Sequence, residues 1–178
     1  MGLIFDSSVL IAAERQGRNA RQMLAALPGA AENTDIAISV VTLIELAHGA
    51  ARADTVERKT KRQQFIQELV TALPLHPVTV PIALRAGRID GENHARGVRL
   101  PLADRLIGVT ALELGYSVAT GNLRHFQMIP GLSVSQVSTW RTKLSLLPGC
   151  GGCPIQARSW LEWGRESQSS RWPPLAPP

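Results

Sequence analysis

Short apolar runs alternate with longer segments in which apolar positions recur every three or four residues. Each short run reads as a buried strand and each periodic segment as a helix. Residues 2–5 form an apolar run that ends at an acid, Asp6. Residues 7–15 follow as a helix with Val9, Leu10 and Ala13 facing inward, and 18–27 as a second helix stopped by Pro28 and Gly29. The run IAIS at 36–39 predicts a strand. The segment 41–51 predicts a helix with Leu43, Leu46 and Ala47 apolar and Ser39 as its cap.

A longer helix is expected over 57–73, where Phe65, Ile66, Leu69, Val70 and Leu73 mark one face. Residues 78–80 predict a strand, and Pro81 suits the first turn of a helix running to about Gly97. Another helix is predicted over 101–114, carrying Leu102, Leu106, Ile107 and Val109, with Gly115 as its stop. SVAT at 117–120 and residues 132–135, after the Pro130-Gly131 turn, complete the strands. Strands separated by helices imply parallel pairing through crossovers. The expected fold class is α/β, a three-layer sandwich with a short central parallel sheet flanked by helices.

The chain has 178 residues, 44% of them hydrophobic, enough for one domain with its own core. No apolar run approaches the ~20 residues of a membrane helix. The start, MGLIFDSSVLIAAER, lacks the basic opening and cleavage site of a signal peptide, so the cytoplasm is the expected location. Composition changes near residue 139. Trp140, Trp160, Trp163 and Trp172, both cysteines and half of the 12 prolines lie beyond it. Residues 1–138 are therefore read as the domain, and 139–178 as a tail expected to be mostly disordered. Cys150 and Cys153 form a C-x-x-C pair with no second pair and no following histidine, short of the roughly four ligands of a zinc site. A net charge of +5 suits a nucleic-acid partner without establishing one.

In open parallel sheets, sites form beyond the carboxyl ends of the strands, near the switch in strand order. Asp6 stands directly after the first strand. Glu45 lies about a turn and a half into the helix after IAIS, Asp104 in the first turn of the helix from Pro101, and Asn122 two residues after SVAT. Four oxygen-bearing side chains thus fall at strand-to-helix junctions. Clustered carboxylates repel one another, and a hard cation such as Mg²⁺ relieves the conflict. Such an ion also lowers the pKa of a bound water and stabilises charge on a phosphodiester. Each acid has a plainer reading: Asp6 as a helix cap, Glu45 as the partner of Thr42 in a T-x-x-E capping box, Asp104 as a first-turn acid, Asn122 as a turn residue. The chain holds no P-loop, H-E-x-x-H or G-x-S-x-G motif. An aspartyl-phosphate phosphatase wants D-x-D after the first strand, and Ser8 stands where its second acid would be.

DSSVLIAAER (6–15), ISVVTLIELAHG (38–49), LPLADRLIGVTALELGYSVATGNLRHF (100–126) and IPGL (129–132) resemble the VapC-type PIN-domain toxins over roughly residues 2–135. The third block is the most specific, because it joins acid, helix, glycine stop, strand and a T-x-N-x-x-x-F ending in register. The resemblance implies a PIN-like fold and an endoribonuclease dependent on Mg²⁺, or Mn²⁺, leaving 5′-phosphate and 3′-hydroxyl ends. It implies a cognate antitoxin and a homodimer as partners, and no membrane. By the same resemblance Asp6 and Asp104 match metal-binding acids and Glu45 matches the second acid. Asn122 holds an amide where the family often carries a fourth acid, which leaves a second metal ion in doubt. Ser7 and Thr120 match hydroxyl residues expected to contact a phosphate or metal-bound water. Arg124 is the foremost basic candidate for an RNA phosphate, with Arg15, Arg105 and His125 behind it. The alternative is a non-catalytic PIN-like module that binds RNA or protein without cutting.

Overall fold

The computed structural model describes residues 2–25 and 35–136. The expectations placed on residues 26–34 and 137–178, the helix stop at Pro28, the domain boundary, the tail and the cysteine pair among them, lie outside the described residues.

The elements run β1 (Leu3–Phe5), α1 (Ser7–Arg15), α2 (Ala20–Ala25), β2 (Ile36–Ser39), α3 (Val40–Ala51), α4 (Val56–Ala72), β3 (Leu75–His76), α5 (Val80–Ala95), α6 (Leu102–Leu114), β4 (Ser117–Thr120), α7 (Leu123–Phe126) and β5 (Val134–Gln136). The strands form one sheet in the order β3-β2-β1-β4-β5, and every pairing is parallel. The chain builds outward from β1 to β2 and β3, then crosses back to lay β4 and β5 on the other side. The switch in strand order therefore falls between β1 and β4, and the crevice at their carboxyl ends is where such sheets bind ligands.

Side chains alternate across the sheet, as the two-residue strand period requires. Ile4, Ala37 and Val118 join a core with Ile82, Ala86 and Ile89 of α5 and Ile107 of α6. Phe5, Ile38 and Ala119 join a second core with Val9 and Leu10 of α1, Met23 of α2, and Phe65 and Leu69 of α4. Helices cover both faces, giving the expected three layers. Among the described residues no helix is long and apolar enough to cross a membrane.

Three expectations need correction. The strand predicted at 78–80 is at Leu75–His76: Ile38 N donates to Pro74 O, Pro77 has no N–H to continue a ladder, and Val80 already opens α5. The final strand begins at Val134, two residues later than predicted. Thr42 does not cap α3. Ser39 does, accepting from Val41 N at 3.2 Å, while Thr42 is fully buried inside the helix and donates to Phe5 O at 3.1 Å. The capping-box reading of Glu45 falls with it.

Candidate active site

Asp6 follows β1 and is the N-cap of α1, its Oδ1 accepting from Ser7 N at 2.8 Å. Its plain role as a cap is real, and it does not exhaust the residue. Oδ2 accepts two further hydrogen bonds, from Ser8 Oγ at 2.6 Å and from Thr120 Oγ1 at 2.8 Å. Ser8 Oγ accepts in turn from Gly121 N at 2.9 Å, and Thr120 Oγ1 from Asn122 N at 2.9 Å. The two hydroxyls tie the start of α1 to the end of β4 across the switch point. Asp6 is 4% exposed and held from both strands.

Glu45 projects from α3 toward the same crevice, where the charges of Asp6 and Asp104 both act on it. Burial first, then repulsion from those two carboxylates, pushes its pKa up to about 7, against the opposing pull of a hydrogen bond from the Ser7 side chain. One carboxylate oxygen, Oε2, is buried with no hydrogen-bond partner. Asp104 stands in the first turn of α6. Burial raises its pKa as well, opposed by the His125 hydrogen bond, with the Asp6 charge adding to the rise. Its Oδ2 lies 2.5 Å from His125 Nδ1.

The fold thus brings Asp6, Glu45 and Asp104 into one electrostatic cluster. Asn122 lies beside them, its side-chain amide 2.7 Å from His125 Nδ1, so it reaches Asp104 through the histidine. Ser7 and Thr120 are placed differently from the expectation of substrate contact. Thr120 is completely buried with its hydroxyl already committed, and Ser7 is buried beside Glu45. Arg105 is buried and paired with Asp90, which removes it from the phosphate-binding candidates. Arg15 and Arg124 are exposed.

Two residues escaped the sequence reading in these roles. Ser8 counted only as a missing acid, and His125 only as a cation for phosphate. The three-residue spacing of Asn122 and His125 was the available signal, since residues so spaced share a helix face.

The donors are all oxygen, which suits a hard divalent cation. The orphaned Oε2 of Glu45 is the kind of buried acceptor that such a cation satisfies. Among the described residues no group of three or more His, Cys, Asp or Glu side chains is arranged to hold an ion unaided.

A parallel sheet with its switch point lined by acids defines a class, and comparison with known proteins agrees with it. The profile of the PIN domain matches residues 3–131, and the chain belongs to that family. Within it the chain is of the VapC type. It is 30% identical over 139 residues to "Ribonuclease VapC1" of Rickettsia felis, covering 78% of this chain and 98% of that one. The solved structure of VapBC2 from Rickettsia felis, bound to a DNA fragment from their promoter, is similar with a TM-score of 0.66 at 21% identity, covering 76% of this chain and 98% of that chain. VapBC-5 of Mycobacterium tuberculosis, a member of the VapBC family of toxin–antitoxin systems, is similar with a TM-score of 0.57 at 25% identity, covering 76% and 96%.

Proposed function

We propose that this chain is an endoribonuclease, the toxin of a toxin–antitoxin pair, whose acidic site works with Mg²⁺, or with Mn²⁺ in its place. The observation that carries the reading is Glu45. A buried carboxylate with an unpartnered oxygen, beside two further carboxylates, is costly unless a cation or a proton offsets it. Its relative in Rickettsia felis is named a ribonuclease, which supports the substrate.

Asp6 and Asp104 would hold the ion, directly or through water. The ion supplies positive charge against the developing phosphoryl charge and lowers the pKa of a bound water. Glu45, with a pKa near neutrality, orients the attacking water and accepts its proton. Ser8 and Thr120 hold Asp6 in place. Arg124, exposed on α7 close to Asn122, contacts an RNA phosphate. With Asn122 neutral, one metal ion is proposed rather than two. A cognate antitoxin and a second copy of the chain are the proposed protein partners, and the cytoplasm the proposed location. The VapBC-5 likeness supports the antitoxin.

The test is RNA cleavage with and without Mg²⁺, comparing wild type with Asp104→Asn. Cleavage that needs the ion and falls by about 100-fold or more in the variant is expected, a loss of roughly 3 kcal/mol of transition-state stabilisation. Equal cleavage in chelator, or full activity of the variant, overturns the mechanism.

A further inference from the structure

We infer that His125 is a positioning residue: it occupies one oxygen of Asp104 and so leaves the other to face the acidic cluster. The inference rests on the metal-dependent reading above and adds to it a residue that touches neither ion nor RNA.

Three observations carry it. The first is the contact itself, with Nδ1 of His125 2.5 Å from Oδ2 of Asp104, across 21 positions of sequence. A charge-assisted hydrogen bond fixes geometry as well as contributing energy. The second is how α6 and α7 meet. Gly108 lies one turn after Asp104 on the same face of α6. A Cβ there would fall 2.3 Å from Ile129 Cδ1 and 3.4 Å from Phe126 Cδ1. Phe126 is fully buried and Ile129 nearly so. Gly108 leaves room for Ile129, just beyond α7, to pack closely on α6, and α7, held on this packing, sets His125 against Asp104. The third is the restraint on the ring. Nδ1 carries one hydrogen, and beside an ionised Asp104 it lies between ring and carboxylate. Asn122, whose amide meets the same nitrogen at 2.7 Å, then presents its oxygen there after a half-turn of the amide. Asp104 and Asn122 thus both meet the ring at Nδ1, and Asn122 acts through His125 rather than as a fourth ligand.

A partner that orients a metal-binding side chain without touching the metal has a recognisable signature. Its loss weakens metal binding and activity by about 10–100-fold while the fold persists. The experiment uses the full chain with Mn²⁺ as the probe, its binding read by electron paramagnetic resonance in the absence of RNA and its thermal melt read alongside. His125→Leu is expected to weaken Mn²⁺ binding by about tenfold or more, with cleavage falling in parallel. His125→Asn, which returns an amide donor to the place of Nδ1, is expected to stay within about threefold of wild type. Equal binding by wild type and His125→Leu overturns the inference, as does equal weakening in Leu and Asn variants of native melting temperature. A wild type that binds no Mn²⁺ overturns the metal reading and the inference together. If His125→Leu does not fold, nitrogen NMR of wild type at about pH 8 decides. The His125 ring is expected to carry a hydrogen on Nδ1, and a ring with its only hydrogen on Nε2 overturns the inference.

Discussion

The hydroxyl of Thr120 donates to Oδ2 of Asp6 at 2.8 Å, although 114 positions separate the two in the chain. The bond spans β1 and β4, the adjacent strands between which the sheet reverses its order of growth. It makes Asp6 at once the cap of α1 and a carboxylate fixed from the far side of the crevice.

The two roles of Asp6 are separable. Asn is as good a cap as Asp but carries no charge. Asp6→Asn is expected to abolish RNA cleavage while shifting stability little. Asp6→Ala is expected to abolish cleavage and also to lose about 1 kcal/mol with the cap. Urea melts of both variants check this, and equal destabilisation by Asn and Ala would count against the cap.

Ser8 and Thr120 act on the same oxygen, so their effects should couple. Ser8→Ala and Thr120→Val are each expected to slow cleavage about tenfold, the double variant by less than the product of the two. Thr120→Val leaves Asn122 N without its acceptor and should cost an additional ~1–2 kcal/mol of stability. Kinetics and melts on the four proteins of the cycle give the answer, and strict multiplicativity would show that the hydroxyls work independently.

The raised pKa of Glu45 makes stability depend on pH with a definite sign. The metal-free fold holds this proton more tightly than the unfolded chain, where the value is 4.5. The corresponding stability is fully present below about pH 4.5 and is lost as pH rises through about 7, on the order of 3 kcal/mol in all. Asp104, raised by burial, contributes in the same direction. On the proposed function Mg²⁺ would bind the ionised carboxylates, so its stabilising effect is expected to be small at about pH 5 and large at about pH 8. Thermal melts with and without Mg²⁺ at the two pH values measure it, and an equal shift at both would exclude a cation at these acids.

The cap of α3 gives a prediction away from the chemistry. Ser39→Ala is expected to cost about 1 kcal/mol through the lost cap. Thr42→Val, which keeps the shape but leaves Phe5 O without this donor, is expected to cost about 1–2 kcal/mol. Were Thr42 the cap, Thr42→Ser would be silent. Here it also removes a methyl group packed in the interior and should be measurably destabilising.

Local pattern carried the reading where a segment's own residues decide its structure. The strand at 36–39, the helix at 7–15 and the strand at 117–120 fall where apolar runs and turn residues put them. It failed where the decision is made elsewhere in the chain. Residues 78–80 have strand character, yet the ladder position beside β2 is taken by Leu75 and His76 because a proline on each side defines that register. α7 has four residues, too few for any period to show. Of the candidate site, Asp6 stood out at the end of β1, whereas Glu45 lies inside α3 and Asp104 on a helix that follows another helix. The hydroxyl clasp on Asp6 and the histidine on Asp104 were not legible. Both depend on how closely distant elements approach, and Gly108 reveals that distance only once Ile129 is seen packed against it.

That β4 lies beside β1 also sets a schedule for the molecule. Asp6 and Glu45 are made before Asp104, and Asp104 before Thr120 and His125. A nascent chain that ends between α5 and α6 holds Asp6 and Glu45 but neither the third acid nor the clasp. The clasp on Asp6 forms only when the strand next to β1 arrives, so the site is complete only after four of the five strands of the sheet have been made.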